Sequence, residues 1–291
     1  MQYTIENEFL TLTVDSHGAE AVSLVWKADG SQLLWQADPA VWGRHAPQLF
    51  PYTGRIKGGA FTAKGQTYQA GAHGFARNME HTLVHQEASC LTMELACCQE
   101  TLALWPYEFV LRTTYRLEGT TLVHHTEVHN PGSETIQFGF GYHPAFVCPF
   151  DANHRAADYD IVFDRPQTPI VQDTPGGLCD GTHVLAENSA VLPMSDDMFA
   201  ADSICLTQLS AKTLSVVERD SGRRVEVNIE GFPYVLLWSA LTEQLKFVCV
   251  EPWHSLPDRI DATGRWEDKP FAAALKPGES WSTALKATFV R

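Results

Sequence analysis

Apolar residues recur at every second position along most of the chain, which is the pattern of β-strands that bury one face. Leu10, Leu12 and Val14 alternate with threonines, and the segments FVLRTTYRL and TTLVHHTEVHN show the same alternation. Turn sequences separate these runs at short intervals, such as EGT after TTYRL and RDSG between LSVVE and RRVEVNI. This spacing indicates antiparallel hairpins in series. The pattern predicts an all-β protein, most simply a large antiparallel β-sandwich with few short helices.

The same pattern predicts a single domain over residues 1–291, because β-sandwiches often reach this length alone. One stretch departs from the alternation, from about Cys148 to Pro193, where several Asp and Gly accompany the prolines. These prolines are Pro149, Pro166, Pro169, Pro175 and Pro193. Proline cannot donate to a sheet ladder, so we expect this stretch to be an extended excursion over the surface rather than a linker between domains.

Composition and charge narrow the classes of partner. The formal net charge is −14, from 35 acidic and 21 basic residues, and no run of Lys or Arg occurs. This balance argues against nucleic acid and anionic membranes as partners. The N-terminus has no signal-peptide pattern and no stretch approaches 18 apolar residues, which predicts a cytoplasmic protein. The seven cysteines show no C-x-x-C spacing, so we expect reduced thiols, mostly buried.

Three patches concentrate polar side chains that a strand scaffold does not need. In APQLFPYTGRIKGG, Arg55 follows a turn and could offer its planar donors to a ligand. In GAHGFARN, His73 lies between glycines that allow close approach, and Arg77 follows. In GYHPAF, His143 stands among aromatic residues and glycines. Each alone is equally well explained by a surface arginine, a loop histidine or a core histidine.

The fourth patch, KFVCVEPWHS, is more informative. Glu251 follows the apolar strand residues Phe247 to Val250 and precedes Pro252 and Trp253. A carboxylate at the end of a buried strand costs stability unless it is paired, so a functional role is the better interpretation.

Two histidine groupings are weaker candidates for a metal site. His125, Glu127 and His129 share one face of a strand, where a metal ion could bind two neighbours. The sequence indicates no third ligand, and an exposed polar face explains the alternation as well. His81 and His85 are four residues apart outside any helical pattern, so they lack the geometry of an H-x-x-x-H pair. We therefore predict no metal site.

Taken together, the patches resemble the aldose 1-epimerase, or galactose mutarotase-like, superfamily, and within it the LacX-type branch. The resembling segments run in family order from about Arg44 to Asp258: RHAPQLFPYTGRIKGGAF, HGFARN, GYHPAF, FPYVLLWS and CVEPWHSLPD. The resemblance implies a large β-sandwich (the mutarotase-like supersandwich) whose concave face holds a sugar. It implies no cofactor, a small-molecule aldose as partner, and a monomer or homodimer.

The resemblance also implies roles for individual residues. Glu251 would be the base and His143 the acid of anomer interconversion, while Arg55, His73 and Arg77 would bind the sugar. Opening a cyclic hemiacetal requires a proton to leave the C1 hydroxyl while another reaches the ring oxygen, and acid and base catalysis each contribute about 10² to 10⁴ in rate.

The family's binding aspartate and its flat apolar surfaces are matched less directly. Asp202 is the best candidate for the aspartate, ahead of Asp196 and Asp197 in the same segment. Trp253, with Phe75 and Tyr142, would supply flat apolar surface for the C–H faces of the sugar.

Two alternatives remain open at this point. A hexose-6-phosphate 1-epimerase shares the HGFAR type of segment and would use an arginine to hold phosphate. A non-catalytic carbohydrate-binding β-sandwich would bind sugar without needing the Glu251 and His143 pair. The absence of a further basic cluster and the net charge of −14 favour a neutral aldose.

Overall fold

A computed structural model describes all 291 residues and contains 24 β-strands, five 3₁₀ turns and one short α-helix. The strands are β1 Gln2–Glu6, β2 Leu10–Asp15, β3 Glu20–Trp26, β4 Gln48–Leu49, β5 Ala60–Ala63, β6 Gln66–Gln69, β7 Thr82–Glu87, β8 Cys90–Ala96, β9 Val110–Glu118, β10 Thr121–His129, β11 Ile136–Phe138, β12 Gly141–Tyr142, β13 Ala145–Val147, β14 Tyr159–Gln167, β15 Ile170–Gln172, β16 Thr182–Val184, β17 Ser189–Pro193, β18 Ile204–Thr207, β19 Thr213–Glu218, β20 Arg224–Asn228, β21 Tyr234–Trp238, β22 Phe247–Trp253, β23 Ala273–Leu275 and β24 Ser280–Val290. The helices are α1, Gln99–Leu104, and the 3₁₀ turns Lys57–Gly59, Ala76–Asn78, Ala156–Asp158, Pro175–Gly177 and Trp266–Asp268.

Two large antiparallel sheets form the body of the molecule. One has nine strands in the order β17-β14-β19-β20-β24-β10-β9-β8-β7, and the other has eight strands in the order β16-β15-β18-β21-β22-β12-β4, with β13 also paired to β22. A small three-stranded sheet, the hairpin β5-β6 and the two-stranded pair β11-β23 complete the fold. The prediction of an all-β antiparallel sandwich with few short helices is confirmed. The predicted hairpins are present, with β9 joined to β10 and β19 joined to β20.

The core lies between the two large sheets. Leu111, Val128 and Leu285 reach it from the nine-stranded sheet, and Val248 and Val250 reach it from the eight-stranded sheet, all within one cluster of 61 buried residues. Burying apolar area of this extent is the main force that holds the two sheets together. The other face of the eight-stranded sheet is left free to line a cavity.

The proline-rich stretch from 148 to 193 differs from the prediction. Instead of crossing the surface as an extended loop, it supplies β14 and β17 to one end of the nine-stranded sheet and β15 and β16 to one end of the eight-stranded sheet. Its prolines are accommodated at sheet irregularities and edges: Pro166 lies where the register of β14 with β17 shifts, and Pro193 ends the edge strand β17. Proline is tolerated at these places because a ladder donor is not needed there.

None of the helices is long and apolar enough to cross a membrane.

The stability of the fold should depend on pH through histidines that are buried in their neutral form. Burial lowers the pKa of His124 to about 3 and that of His81 to about 4. In the unfolded chain both histidines bind protons below about pH 6.5. Between pH 6.5 and about 4 the unfolded state therefore holds more protons, and the free energy of unfolding falls as pH falls.

We expect the urea midpoint to decrease from pH 7.5 to pH 5. Each such histidine contributes up to about 1.4 kcal/mol per pH unit, so His124→Gln should flatten the profile by about 1 kcal/mol per unit. The matched control is His85→Gln on the exposed face of β7. Equal slopes for the two variants would contradict the assignment to His124.

Candidate active site

Glu251 lies in the central part of β22, and its direction follows from the two-residue period of a strand. Val248 and Val250 point into the core between the sheets, so Cys249, Glu251 and Trp253 point to the opposite face. Every residue of β22 is buried, because the core covers one face and the loops around the cavity cover the other. The apolar sequence around Glu251 is thus that of a strand buried on both faces.

His143 is held directly across from Glu251 by the register of the sheet. Gly141 in β12 pairs with Trp253, and Ala145 in β13 pairs with Cys249, so the intervening His143 falls opposite Glu251 in the same antiparallel register. Its Nε2 atom lies 3.4 Å from Oε2 of Glu251. Cross-strand neighbours on one face are the closest side-chain pairs that a sheet offers.

The close approach of β12 to β22 requires a glycine. A Cβ atom at Gly141 would lie 2.5 Å from Cδ1 of Trp253 and 2.8 Å from its Cγ. The indole of Trp253 fills this space and donates from Nε1 to the carbonyl of Tyr142 at 3.1 Å. The glycine in GYHPAF therefore serves the position of Trp253 beside the histidine.

The Glu251 and His143 pair is deeply buried and incompletely hydrogen-bonded. Glu251 is 1% exposed and His143 is 7% exposed. Oε2 of Glu251 and Nδ1 of His143 have no hydrogen-bond partner, which is uncommon for buried polar atoms. Burial raises the pKa of Glu251 well above its usual value, and the carboxylate of Asp202 adds to this effect. Burial also lowers the pKa of His143 to about 3, with a further contribution from the positive charge of Arg77.

His73 is oriented by the backbone of the Arg55 loop. Its Nδ1 accepts a hydrogen bond from the amide of Gly54 at 3.1 Å, and its own amide donates to the carbonyl of Gly54 at 2.8 Å. Because Nδ1 is an acceptor, the proton of the neutral ring is on Nε2. Burial, together with the nearby His143 and the arginines, lowers the pKa of His73 well below its usual value. His73 is therefore a neutral ring with one free donor, packed edge-to-face on His143 and Trp253.

The two predicted arginines differ in their environments. Arg77 is partly buried, donates from Nη2 to the carbonyl of Ala72 at 2.9 Å, and has an unpartnered Nε. Arg55 is exposed, and its guanidinium makes no hydrogen bond or ion pair. The side chain of Arg55 runs across Gly177, where an added Cβ would lie 2.7 Å from its Cδ. Both arginines keep donors free for a ligand.

Of the three candidate aspartates, only Asp202 lies in the wall of the cavity. Asp202 lines the cavity, in a turn with φ 94°, and its carboxylate has no partner in the protein. Asp196 instead accepts a hydrogen bond from the amide of Leu245, and Asp197 accepts one from the hydroxyl of Ser195. These two aspartates serve the local loop structure and lie outside the cavity.

All seven site residues predicted from the sequence meet around one cavity of about 330 Å³. This volume falls within the range of small-molecule sites. The predicted residues in its wall are Arg55, His73, Arg77, His143, Asp202, Glu251 and Trp253, and the others are Trp42, Gly54, Ala72, Thr174, Gly177, Ser203, Leu236, Trp238 and Pro257.

The aromatic surface of the cavity differs in part from the prediction. Phe75 and Tyr142 were expected beside the sugar, but both are packed in the core between the sheets. Trp42 and Trp238 take this place next to Trp253, and Trp42 stacks on His143 with ring centroids 4.9 Å apart. Tyr142 ends a strand that is buried on both faces, and His143 follows it directly. Hydrophobicity therefore could not show which of these two side chains points into the cavity.

Further lining residues come from the proline-rich stretch 148–193, which the sequence pattern predicts to cross the surface. Thr174 and Gly177 belong to the proline-rich stretch and reach the cavity beside Arg55. Trp238 was visible as the aromatic end of the family-like segment FPYVLLWS. No local pattern marked Trp42 or Thr174, because only the folded chain brings these segments over the sheet.

The weaker histidine candidates form no cluster. Nδ1 of His129 lies 3.0 Å from the hydroxyl of Ser280, and Glu127 pairs with Arg112 at 3.4 Å. His81 is a core residue whose Nε2 lies 3.0 Å from the carbonyl of Ala76. These contacts account for the side chains without a metal ion.

Comparisons with known proteins agree with this fold. The family model described as Aldose 1-epimerase matches residues 1–288. Protein LacX, plasmid, from Lactococcus lactis subsp. lactis is 30% identical over 293 residues, with 95% of each chain covered.

Two solved structures are close in shape. The galactose mutarotase related enzyme from Lactobacillus acidophilus has a TM-score of 0.95 and 32% identity, covering 100% of this chain and 98% of that one. A galactose mutarotase-like protein from Lactobacillus casei ATCC 334 has a TM-score of 0.91 and 29% identity, covering all of both chains.

The fold is that of the galactose mutarotase-like proteins. The chain belongs to the aldose 1-epimerase family, in its LacX-type branch. Membership gives it a general carbohydrate epimerase role, with a small sugar as substrate.

Proposed function

We propose that this protein interconverts the α and β anomers of a free aldose, with Glu251 as the base and His143 as the acid. The observation that carries the proposal is the position of these two side chains. They lie 3.4 Å apart in the wall of the cavity, and each keeps a buried polar atom without a partner. The hydroxyl and ring oxygen of a sugar would supply the missing partners.

The reaction needs one proton acceptor and one proton donor at the anomeric carbon. Glu251 takes the proton of the C1 hydroxyl while His143 gives a proton to the ring oxygen, so that the C1–O5 bond breaks and a C1 carbonyl forms. After rotation about the C1–C2 bond, the same steps in reverse close the ring on the other face. The two oxygens are bound to the same carbon, so one adjacent pair of side chains can serve both.

The directions of the pKa shifts support a pair that shares one proton. Burial disfavours the carboxylate and the imidazolium alike, so both pKa shifts favour the state in which Glu251 holds the proton and His143 is neutral. Transfer of this proton to His143 creates the ion pair that starts the reaction. Each charge then stabilises the other at 3.4 Å, and donors of the bound sugar stabilise the carboxylate.

The remaining polar residues suit the recognition of sugar hydroxyls. Nε2 of His73 and the free nitrogens of Arg55 and Arg77 are donors, while the carboxylate of Asp202 accepts. Trp253 offers an apolar surface to the C–H face of the ring, as aromatic side chains do in ligand sites. Fixing the sugar from several sides holds the anomeric carbon against the pair.

The substrate is proposed to be uncharged. Arg55 and Arg77 share the cavity wall with the acidic Asp202, and no lysine lines the cavity. The unpartnered guanidinium of Arg55 is the one observation that favours a sugar phosphate instead. A panel of free and 6-phosphorylated aldoses therefore tests the proposal directly.

We expect catalysed anomer exchange, measured by polarimetry or NMR exchange, to be faster with glucose or galactose than with glucose 6-phosphate. A clear preference for the phosphate would identify a hexose-6-phosphate 1-epimerase. If the protein bound sugar in calorimetry but left exchange at its buffer rate, it would be a carbohydrate-binding module.

A further inference from the structure

A third chemically active side chain lies beside the Glu251 and His143 pair. The sulfur of Cys249, a nitrogen of His143 and a carboxylate oxygen of Glu251 all lie within 4.8 Å of one another. The proposed sugar reaction uses the histidine and the glutamate but has no step for the thiol. Thiolate, imidazole and carboxylate are the three ligand types that proteins use for Zn²⁺.

We propose that Cys249, His143 and Glu251 bind Zn²⁺, or another thiophilic divalent cation, and that the bound ion blocks anomer exchange. The inhibitory half of this proposal rests on the proposed function, while the binding half does not.

The register of the sheet builds the three-ligand arrangement. Cys249 and Glu251 are two residues apart in β22 and therefore point to the same face. Ala145 pairs with Cys249, and His143, two residues before Ala145, lies opposite Glu251. Two neighbouring strands thus supply all three ligands from rigid positions.

The distances fit a tetrahedral ion after a small adjustment. With Zn–N and Zn–O near 2.0–2.1 Å and Zn–S near 2.3 Å, the ligand atoms of such a site lie about 3.3–3.8 Å apart. The histidine and glutamate atoms are already 3.4 Å apart. The sulfur lies within 4.8 Å of both, so it must approach by about 1 Å to reach this range.

The pair also has unused coordination capacity. Oε2 of Glu251 is buried without a hydrogen-bond partner, and it is the oxygen that lies 3.4 Å from Nε2 of His143. Such atoms gain from any ligand that replaces lost hydration. An ion can reach them through the cavity, whose wall includes both side chains.

The charges balance once the ion is bound. Zn²⁺ with one thiolate and one carboxylate has no net charge, so binding buries no excess charge. The thiol of Cys249 releases its proton to solvent, and so does Glu251 if it holds one. The positive charge of Arg77 opposes the ion, while the carboxylate of Asp202 in the same cavity wall favours it.

Ion and sugar compete because they use the same groups. A bound ion occupies the lone pair of His143 and the carboxylate of Glu251, so neither can transfer a proton. His143 and Glu251 both belong to the cavity wall, so an ion bound to them would stand where the anomeric carbon of the sugar is proposed to lie.

The test begins with chelator-treated protein titrated with ZnCl₂ while anomer exchange is measured. We expect inhibition that EDTA reverses and that saturating sugar relieves, whereas Mg²⁺ has no effect. Cys249→Ser should keep its uninhibited rate but require at least about 10-fold more zinc, since losing even an outer partner of a metal site costs about 10- to 100-fold. Cys249→Ala repeats the test if the serine variant does not fold.

The matched control is Cys205→Ser. Cys205 is equally buried in β18 of the same sheet but is outside the three-ligand group. Its zinc sensitivity should equal that of the unmodified protein. Equal zinc sensitivity in the Cys249 and Cys205 variants would overturn the proposal.

A binding measurement that does not depend on activity uses Co²⁺ as the probe. One equivalent should produce a sulfur-to-cobalt charge-transfer band in the unmodified protein and in Cys205→Ser, but not in Cys249→Ser. No band in the unmodified protein would overturn the metal site. A band in a protein that exchanges no sugar anomers would support the site and contradict the proposed function instead.

Discussion

Replacing Glu251 by glutamine is expected to lower kcat for anomer exchange by about 10²-fold or more while sugar binding is retained. Glutamine keeps the shape of the side chain and can still hydrogen-bond, but its amide cannot take a proton from the C1 hydroxyl. The loss corresponds to about 2.7 kcal/mol of transition-state stabilisation. The measurement is kcat by NMR exchange together with the dissociation constant by calorimetry. Glu243→Gln, at an exposed position, is the control and should change neither value.

His143→Asn should reduce kcat to a similar extent, because it removes the other half of the proton transfer. Since both residues act in one cycle, the double variant should lose less than the product of the two single losses. Near-full exchange by either single variant at saturating sugar would assign a structural role to that residue. That structural role would be packing against Trp42 for His143, or burial in the sheet for Glu251.

Gly74→Ala is expected to destabilise the fold by about 3 kcal/mol or more. Gly74 has φ 68°, a left-handed conformation that costs an L-residue about 1–2 kcal/mol. A Cβ at this position would also lie 2.1 Å from the carbonyl oxygen of Phe50 and 2.7 Å from the nitrogen of Pro51, and such overpacking costs about 1–3 kcal/mol more. Backbone atoms cannot move aside as a flexible side chain could. The measurement is the free energy of unfolding in urea.

Gly58→Ala separates the two causes. Gly58 has φ 70°, but an added Cβ would meet nothing within 4 Å, so its loss should be about 1 kcal/mol. If both alanine variants lost the same free energy, the close packing of the HGFAR loop on Phe50 would not be the cause. A larger loss at Gly74 would assign the difference to this close packing, which adjoins His73 in the chain.

The strands could be predicted from sequence because one of their faces is buried and the other is polar. In Val110–Glu118 and Thr121–His129 the alternation is nearly complete, and the connecting EGT turn marks the hairpin. Both strands lie in the nine-stranded sheet, where antiparallel pairing of neighbours along the chain follows from the short turn. The fold class was therefore contained in local patterns.

The members of the site could also be found from sequence, most of them through unusual local composition and Asp202 only through the family resemblance. Glu251 interrupts an apolar strand, and His73 is flanked by Gly71 and Gly74 in a loop. These signals depend on residue type and close neighbours alone. They indicate which side chains are unusual but not which of them meet.

The sequence by itself determined the antiparallel β architecture and the unusual residues, because both depend on neighbours along the chain. Only the tertiary structure decided that His143 lies opposite Glu251, 108 positions away, through the register of β12 and β13 with β22. It also decided that Tyr142 packs in the core while Trp42 lines the cavity, and that Thr174 lines the same cavity as Arg55. In strands covered on both faces, hydrophobicity has no period that distinguishes one face from the other, so only the pairing of distant strands assigns each side chain its direction.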